Sequence, residues 1–202
     1  MFLISMKQIC FMKKPITYII ITILVVLIIA ISCKKNEDTD LEPVPIVNNS
    51  SVVTGIVLIN EMVVKGSTNP NEFGEFEDWF EIYNPQDSAV TLDSGKWYVT
   101  DAAEFNNRKF LLPEVTIAAK DFLIIWCDDG GQPNGMDIHA TFKLSSSGED
   151  VGIYYDHNGS DLAIDTKTYP STSIDGQGYG RLPDGSENWE YLTIPTPGTS
   201  NN

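Results

Sequence analysis

Apolar and polar positions divide the chain into three regimes. Ile16 to Ile31 is an almost unbroken apolar run, introduced by Lys13-Lys14 and closed by Ser32-Cys33. As a helix it would reach about 24 Å at 1.5 Å per residue, short of the roughly 30 Å hydrocarbon core of a bilayer. A basic start, an apolar middle and small closing residues form the pattern of a secretory signal, which ranks ahead of a spanning anchor. Residues 33–53 then lose any packing period. Lysines and acids around Lys34 to Asp40 give way to Pro43, Pro45, Asn48, Asn49, Ser50 and Ser51, so this stretch reads as a flexible tether.

From residue 54 onward the pattern is short apolar or alternating runs punctuated by Gly, Pro, Asn and Asp. Strands are predicted in Gly55 to Val64, Trp79 to Tyr83, Trp97 to Thr100, Val115 to Ile117, Phe122 to Cys127, Val151 to Tyr155 and Leu162 to Ile164. In Trp79 to Tyr83 the two-residue period places Phe80 and Ile82 on one face and Trp79, Glu81 and Tyr83 on the other. Nothing longer than two turns carries helical spacing. Residues 54–202 are enough for one domain with its own core, and short strands at this spacing imply an all-β sandwich or barrel.

The end of the apolar run, Ala30-Ile31-Ser32-Cys33, resembles the lipobox of bacterial lipoproteins. That resemblance implies a signal peptide over 1–32, cleavage before Cys33 and lipid on its thiol. Met12-Lys13-Lys14 is the more ordinary signal start, so residues 1–11 read as an upstream extension. Lys34-Lys35 followed by Glu37, Asp38 and Asp40 is similar to the export tag of surface lipoproteins, although any polar tether would share this composition. The implied location is the bacterial cell envelope, as an outer-membrane lipoprotein; the export-tag resemblance adds surface exposure as one orientation, with the periplasmic face left open as the other.

Charge then narrows the partners. Lys7, Lys13 and Lys14 precede Ser32 and no acid does, so the chain from Cys33 carries 10 basic against 28 acidic residues, a net charge of −18. Such a surface repels polyanions and offers no basic face for nucleic acid. With Cys10 in the leader and Cys33 lipidated, Cys127 is left without a disulfide partner and reads as a buried strand-end residue.

Five blocks in order resemble the lamin-tail domain family. They are Leu58-Ile59-Asn60-Glu61; Asp78 to Pro85; Trp97 to Asp101; Phe142 to Glu149; and Tyr179 to Gly185 with Trp189 and Pro195 to Gly198. The resemblance, spanning about Ile56 to Asn201, implies an immunoglobulin-like β-sandwich of the kind regarded as a binding or attachment module on bacterial surface proteins. Physically, Asn60 and Asn84 suit turn capping, Ser145 to Glu149 suits a turn with Gly148 at positive φ, and Arg181 suits a carboxylate such as Glu81.

Candidate chemistry is sparse. Asp156, Asn158 and Asp161 offer oxygen ligands to calcium, but Asn158-Gly159 between strand-like runs is also the strongest short hairpin signal. Asp128, Asp129 and Asp137 form a second acidic, glycine-rich loop, and Glu72, Glu75, Glu77 and Asp78 a third acidic region. The default for these loops is solvated acid with no cofactor, and calcium is the alternative they suit. Neither His139 nor His157 has metal-ligand spacing, no strained Gly-x-Ser-x-Gly turn occurs, and Gly176 to Gly180 lacks the lysine of a phosphate loop. Trp79, Tyr83, Trp97 and Tyr98, with Tyr154 and Tyr155, are the aromatic candidates for stacking on a sugar or packing on a protein, half or more of them belonging to the core. The expectation is a lipid-anchored, non-catalytic binding module for an envelope protein or glycan. The alternatives are a hydrolase, which three carboxylates converging on a loop-rimmed pocket would favour, and a passive, calcium-modulated envelope component.

Overall fold

The computed structural model describes residues 54–102, 108–131, 137–172 and 174–202; the signal segment, Cys33 and the tether lie outside them. Among the described residues the strands are β1 Leu58–Val63, β2 Asp78–Tyr83, β3 Val90–Leu92, β4 Trp97–Thr100, β5 Phe110–Leu111, β6 Val115–Ile117, β7 Phe122–Cys127, β8 Ile138–Ala140, β9 Glu149–His157, β10 Ser160–Tyr169, β11 Gly178–Arg181 and β12 Trp189–Leu192. Each run expected from sequence contains a strand. The additional ones are short, or built on glycine and polar residues with little apolar signal, as in Gly178-Tyr179-Gly180-Arg181.

Six strands form one sheet in the order β12-β11-β1-β2-β7-β8, four form a second in the order β10-β9-β4-β5, and β3 pairs β6. Pairing is antiparallel except for β7 with β8, which run parallel. The core between the sheets joins Ile59, Met62, Phe80, Ile82, Ile125 and Cys127 of the first to Trp97, Val99, Val151, Ile153, Tyr155 and Ile164 of the second. This is an immunoglobulin-like β-sandwich. The β9–β10 hairpin turns through Asn158 (φ 54°) and Gly159 (φ 86°), both left-handed, as a two-residue Asn-Gly loop requires. Gly148 is also left-handed, and its N–H donates to the Ser145 carbonyl at 3.1 Å.

The outer face of the six-stranded sheet is not open to solvent. Trp79 and Glu81 are as fully buried as Phe80 and Ile82, so β2 is covered on both faces. Trp79 packs with Val63, Trp126 and Ile124. Glu81 and its cross-strand neighbour Glu61 lie under the C-terminal segment. Thr196 donates its N–H and hydroxyl to Glu61 Oε2 at 3.1 and 2.8 Å, and the Gly198 N–H donates to Glu81 Oε2 at 2.6 Å. Gly178 is dictated by this contact, since a Cβ there would lie 2.5 Å from Glu61 Oε1.

Arg181 closes the sandwich, with Asp165 as its carboxylate partner in place of the expected Glu81. Its Nε donates to the Ile59 carbonyl at 2.7 Å, Nη2 to Asp165 Oδ2 at 3.1 Å and Nη1 to the Ser186 carbonyl at 2.6 Å. The same Asp165 oxygen accepts the Ile59 N–H at 2.8 Å. One ion pair thereby ties β1 and β11 of one sheet to β10 of the other. Asn60, in the β1 bulge, reaches Asp184 Oδ1 at 2.9 Å and accepts the Gly185 N–H at 3.0 Å. Asn84 caps as expected, donating to the carbonyls of Ser88, Ile117 and Ala118.

Burial raises Glu61 to about 7 and Glu81 to about 8, outweighing the bonds from Thr196 and from Gly198 with Asn60. Because both folded values lie above the ordinary 4.5, their contribution is fully present below pH 4.5 and is lost as pH rises through 7 to 8. Urea denaturation should show stability falling by several kcal/mol between about pH 5 and 8.5, with Glu61→Gln/Glu81→Gln removing most of that slope. A flat wild-type profile would contradict this.

Candidate functional site

Most of the aromatic candidates prove to be structural. Trp79 is 0% exposed, Trp97 and Tyr98 are each 1%, and Tyr154 and Tyr155 are likewise buried, so none presents a ring face to a ligand. Tyr83 is half-buried, stacked on Phe122 with centroids 5.0 Å apart. Tyr98 and Tyr154 stack on one another, with Arg108 over Tyr98 at 5.1 Å.

Asp128, Asp137, Asp156 and Asp161 are engaged with other protein groups. Arg108 donates to Asp161 Oδ1 from Nε and Nη2 at 3.0 and 2.5 Å, and to Asp156 Oδ2 from Nη1 at 3.1 Å. Asn158 is spent on the hairpin turn. Asp137 accepts the Trp126 indole N–H at 3.1 Å. Asp128 accepts the Gly130 N–H at 2.9 Å, and Asp129 is an exposed left-handed turn residue. Among the described residues no three His, Cys, Asp or Glu side chains are grouped to hold a metal ion. The proposed calcium sets are therefore not assembled as ligand shells. Cys127 is buried, its thiol pushed well up by burial, and it points at the Ile125 carbonyl, 3.7 Å away.

A constellation with no sequence forecast lies at the β8 edge of the larger sheet. The His139 side chain is wholly inaccessible and joins two carboxylates. Nδ1 is 2.6 Å from Asp128 Oδ2, while Nε2 is 3.2 and 3.1 Å from the two Glu72 oxygens. Ionised carboxylates only accept, so the imidazolium, donating from both nitrogens, satisfies all of these contacts. Burial pulls the imidazole down, but the hydrogen bonds and charges of Asp128 and Glu72 outweigh it and hold His139 above its ordinary value. Glu72 is correspondingly lowered; its partial desolvation, which would raise it, is outweighed by its own backbone N–H and His139.

Glu72 belongs to the loop between β1 and β2, and the loop is fixed from within as well. Buried Asn71 accepts the N–H groups of Phe73 and Glu75 at 3.0 and 2.9 Å on one oxygen. The Asn71 N–H donates to the Glu75 carbonyl, and the Gly74 N–H to the Asn71 carbonyl, each at 2.9 Å. This Asx-type turn, closed between Asn71 and Glu75, leaves Phe73 52% exposed, and Phe76, the residue that follows it, is 53% exposed. Phe73 also leans on the His139 ring, centroids 5.5 Å apart.

A family model described as Lamin Tail Domain matches residues 35–171. The chain belongs to the lamin-tail domain family. The match begins at residue 35, ahead of the described residues, and ends before β11, so the closing Arg181, Trp189 and Pro195 blocks lie beyond it even though β11 and β12 complete the larger sheet. No curated protein matches the chain.

A second aromatic group sits at the opposite edge of the lamin-tail sheet. Tyr179 packs against Trp189 and Tyr191, each at 5.2 Å. Lys167 lies 4.4 Å and Arg181 5.0 Å from the Trp189 ring, so this indole is covered by cations and Tyr191 is the exposed member. The Phe73–Phe76 turn thus presents two accessible rings on one fixed segment, whereas the β12 ladder presents one.

His139→Ala would leave Asp128 and Glu72 without their shared cation. A loss of about 2–3 kcal/mol in urea denaturation is expected, with faster proteolytic cleavage within 66–77. Wild-type stability and an unaltered cleavage pattern would contradict the clasp.

Proposed function

We propose that this chain is a lipid-anchored envelope lipoprotein whose lamin-tail domain acts as a non-catalytic binding module. The observation that carries the reading is the pair of exposed phenylalanines on a hydrogen-bonded turn, since an ordered apolar protrusion is a contact surface rather than a solvated loop. The hydrolase alternative needs converging carboxylates that a substrate can reach. Glu61, Glu81 and Asp184 do converge, through Asn60 and the 196–201 segment, but Glu61 and Glu81 are 0% exposed beneath that segment. Anchoring rests on the lipobox resemblance at Cys33, which supports attachment to the envelope through lipid.

Full-length chain immobilised and exposed to envelope extract and envelope glycans should retain a specific partner. Phe73→Ser/Phe76→Ser should lose it while keeping the wild-type melting temperature. Retention should survive a chelator, because among the candidate calcium ligands Asp156 and Asp161 are held by Arg108, Asp128 by His139 and Asp137 by Trp126. Equal retention by wild type and variant would contradict the assignment of the surface. Cys33→Ala should shift the chain from the membrane to the soluble fraction and abolish fatty-acid labelling; unchanged fractionation would contradict the anchor.

A further inference from the structure

We infer that the Phe73–Phe76 turn docks a cationic, apolar segment of a partner protein. The inference rests on the binding-module reading and adds the chemistry of what is bound. Both rings lie in Asn71-Glu72-Phe73-Gly74-Glu75-Phe76-Glu77, where every second or third residue is acidic. The neighbouring end of β7 adds Asp128 and Asp129, brought to the turn through the Asp128–His139–Glu72 link. The local cations are already engaged, Lys143 with Glu77 at 3.1 Å and His139 with its two carboxylates.

An apolar pair set in negative charge discriminates among occupants. Anionic lipid headgroups and polyanions are repelled, and so is a second copy of a chain whose net charge is −15. A protein segment that brings Lys or Arg beside aliphatic or aromatic side chains satisfies both features at once. Its apolar groups cover the two rings, and its cations face Glu75 and the surrounding carboxylates. The turn needs little ordering on binding, because Asn71 and Gly74 fix its backbone and His139 fixes its base.

The test titrates full-length protein into a fluorescent decapeptide alternating Lys and Leu, and separately into one alternating Glu and Leu. The Lys-Leu peptide should bind, and binding should weaken about tenfold in Phe73→Ser/Phe76→Ser and severalfold in Glu75→Gln. Tyr191→Ser, at the opposite sheet edge, should leave it unchanged, and raising the salt from about 0.05 to about 0.5 M should weaken it. Circular-dichroism melting establishes that each variant is folded. Equal affinity of wild type and the double serine variant for Lys-Leu, or tighter binding of Glu-Leu, would overturn the inference. So would sedimentation showing a dimer that the serine variant dissolves, or neutral oligosaccharide displacing the peptide. If the peptide fails while the envelope pull-down still retains a Phe-dependent partner, the cationic class falls and the binding reading stands; if both fail, both fall.

Discussion

The ion pair between Arg181 and Asp165 is the contact on which the sandwich depends. Two sheets packed through apolar side chains slide unless something sets their register. Here a buried guanidinium bonds the β1 backbone and a β10 carboxylate together, and that carboxylate takes the Ile59 N–H as well. With β1 fixed, its bulge at Asn60 turns Glu61 outward beside Glu81, and the sheet acquires a polar outer face that water would ordinarily cover. The chain covers it instead with Thr196, Gly198 and Asn201. Burial beneath that segment raises the pKa of both glutamates, so their titration is coupled to the C-terminal closure.

The same economy of charge operates at the β8 edge. A loop of exposed acids and phenylalanines would wander on its own, because nothing apolar holds it down. His139 supplies the missing attachment by standing between a carboxylate of the sheet and a carboxylate of the loop, and Phe73 covers its ring. Loop position and histidine protonation are therefore linked. Phe73 owes its placement jointly to the His139 contact and to the Asn71 turn.

Legibility in the sequence followed the range of the interaction. Asn158-Gly159 was readable because a two-residue turn is decided by its own backbone, and Cys127 because a continuous apolar run is buried wherever it goes. The burial of Glu81 on the second face of β2 leaves no local mark, since the segment covering it arrives 117 residues later. Arg181 was correctly seen as an anchor but given the wrong carboxylate, because the β10 bulge that aims Asp165 leaves no local mark. His139 was passed over for the same reason. Its partners stand 11 and 67 residues away, and neither spacing belongs to a recognisable motif. The surface aromatics could have been suspected from Glu-Phe-Gly-Glu-Phe-Glu, where phenylalanines among acids and glycine have no strand period to bury them.

Photo-crosslinking from Phe76 tests the central claim most directly. A benzoylphenylalanine at this position in the full-length protein, irradiated in intact cells, should join a single protein through a peptide rich in Lys or Arg, with loss of the adduct at high salt. The same probe at Glu114, an exposed residue between β5 and β6, should give none. Identical adducts from both positions, or crosslinks from Phe76 only to lipid or to other copies of the chain, would contradict a lamin-tail module that binds through this turn.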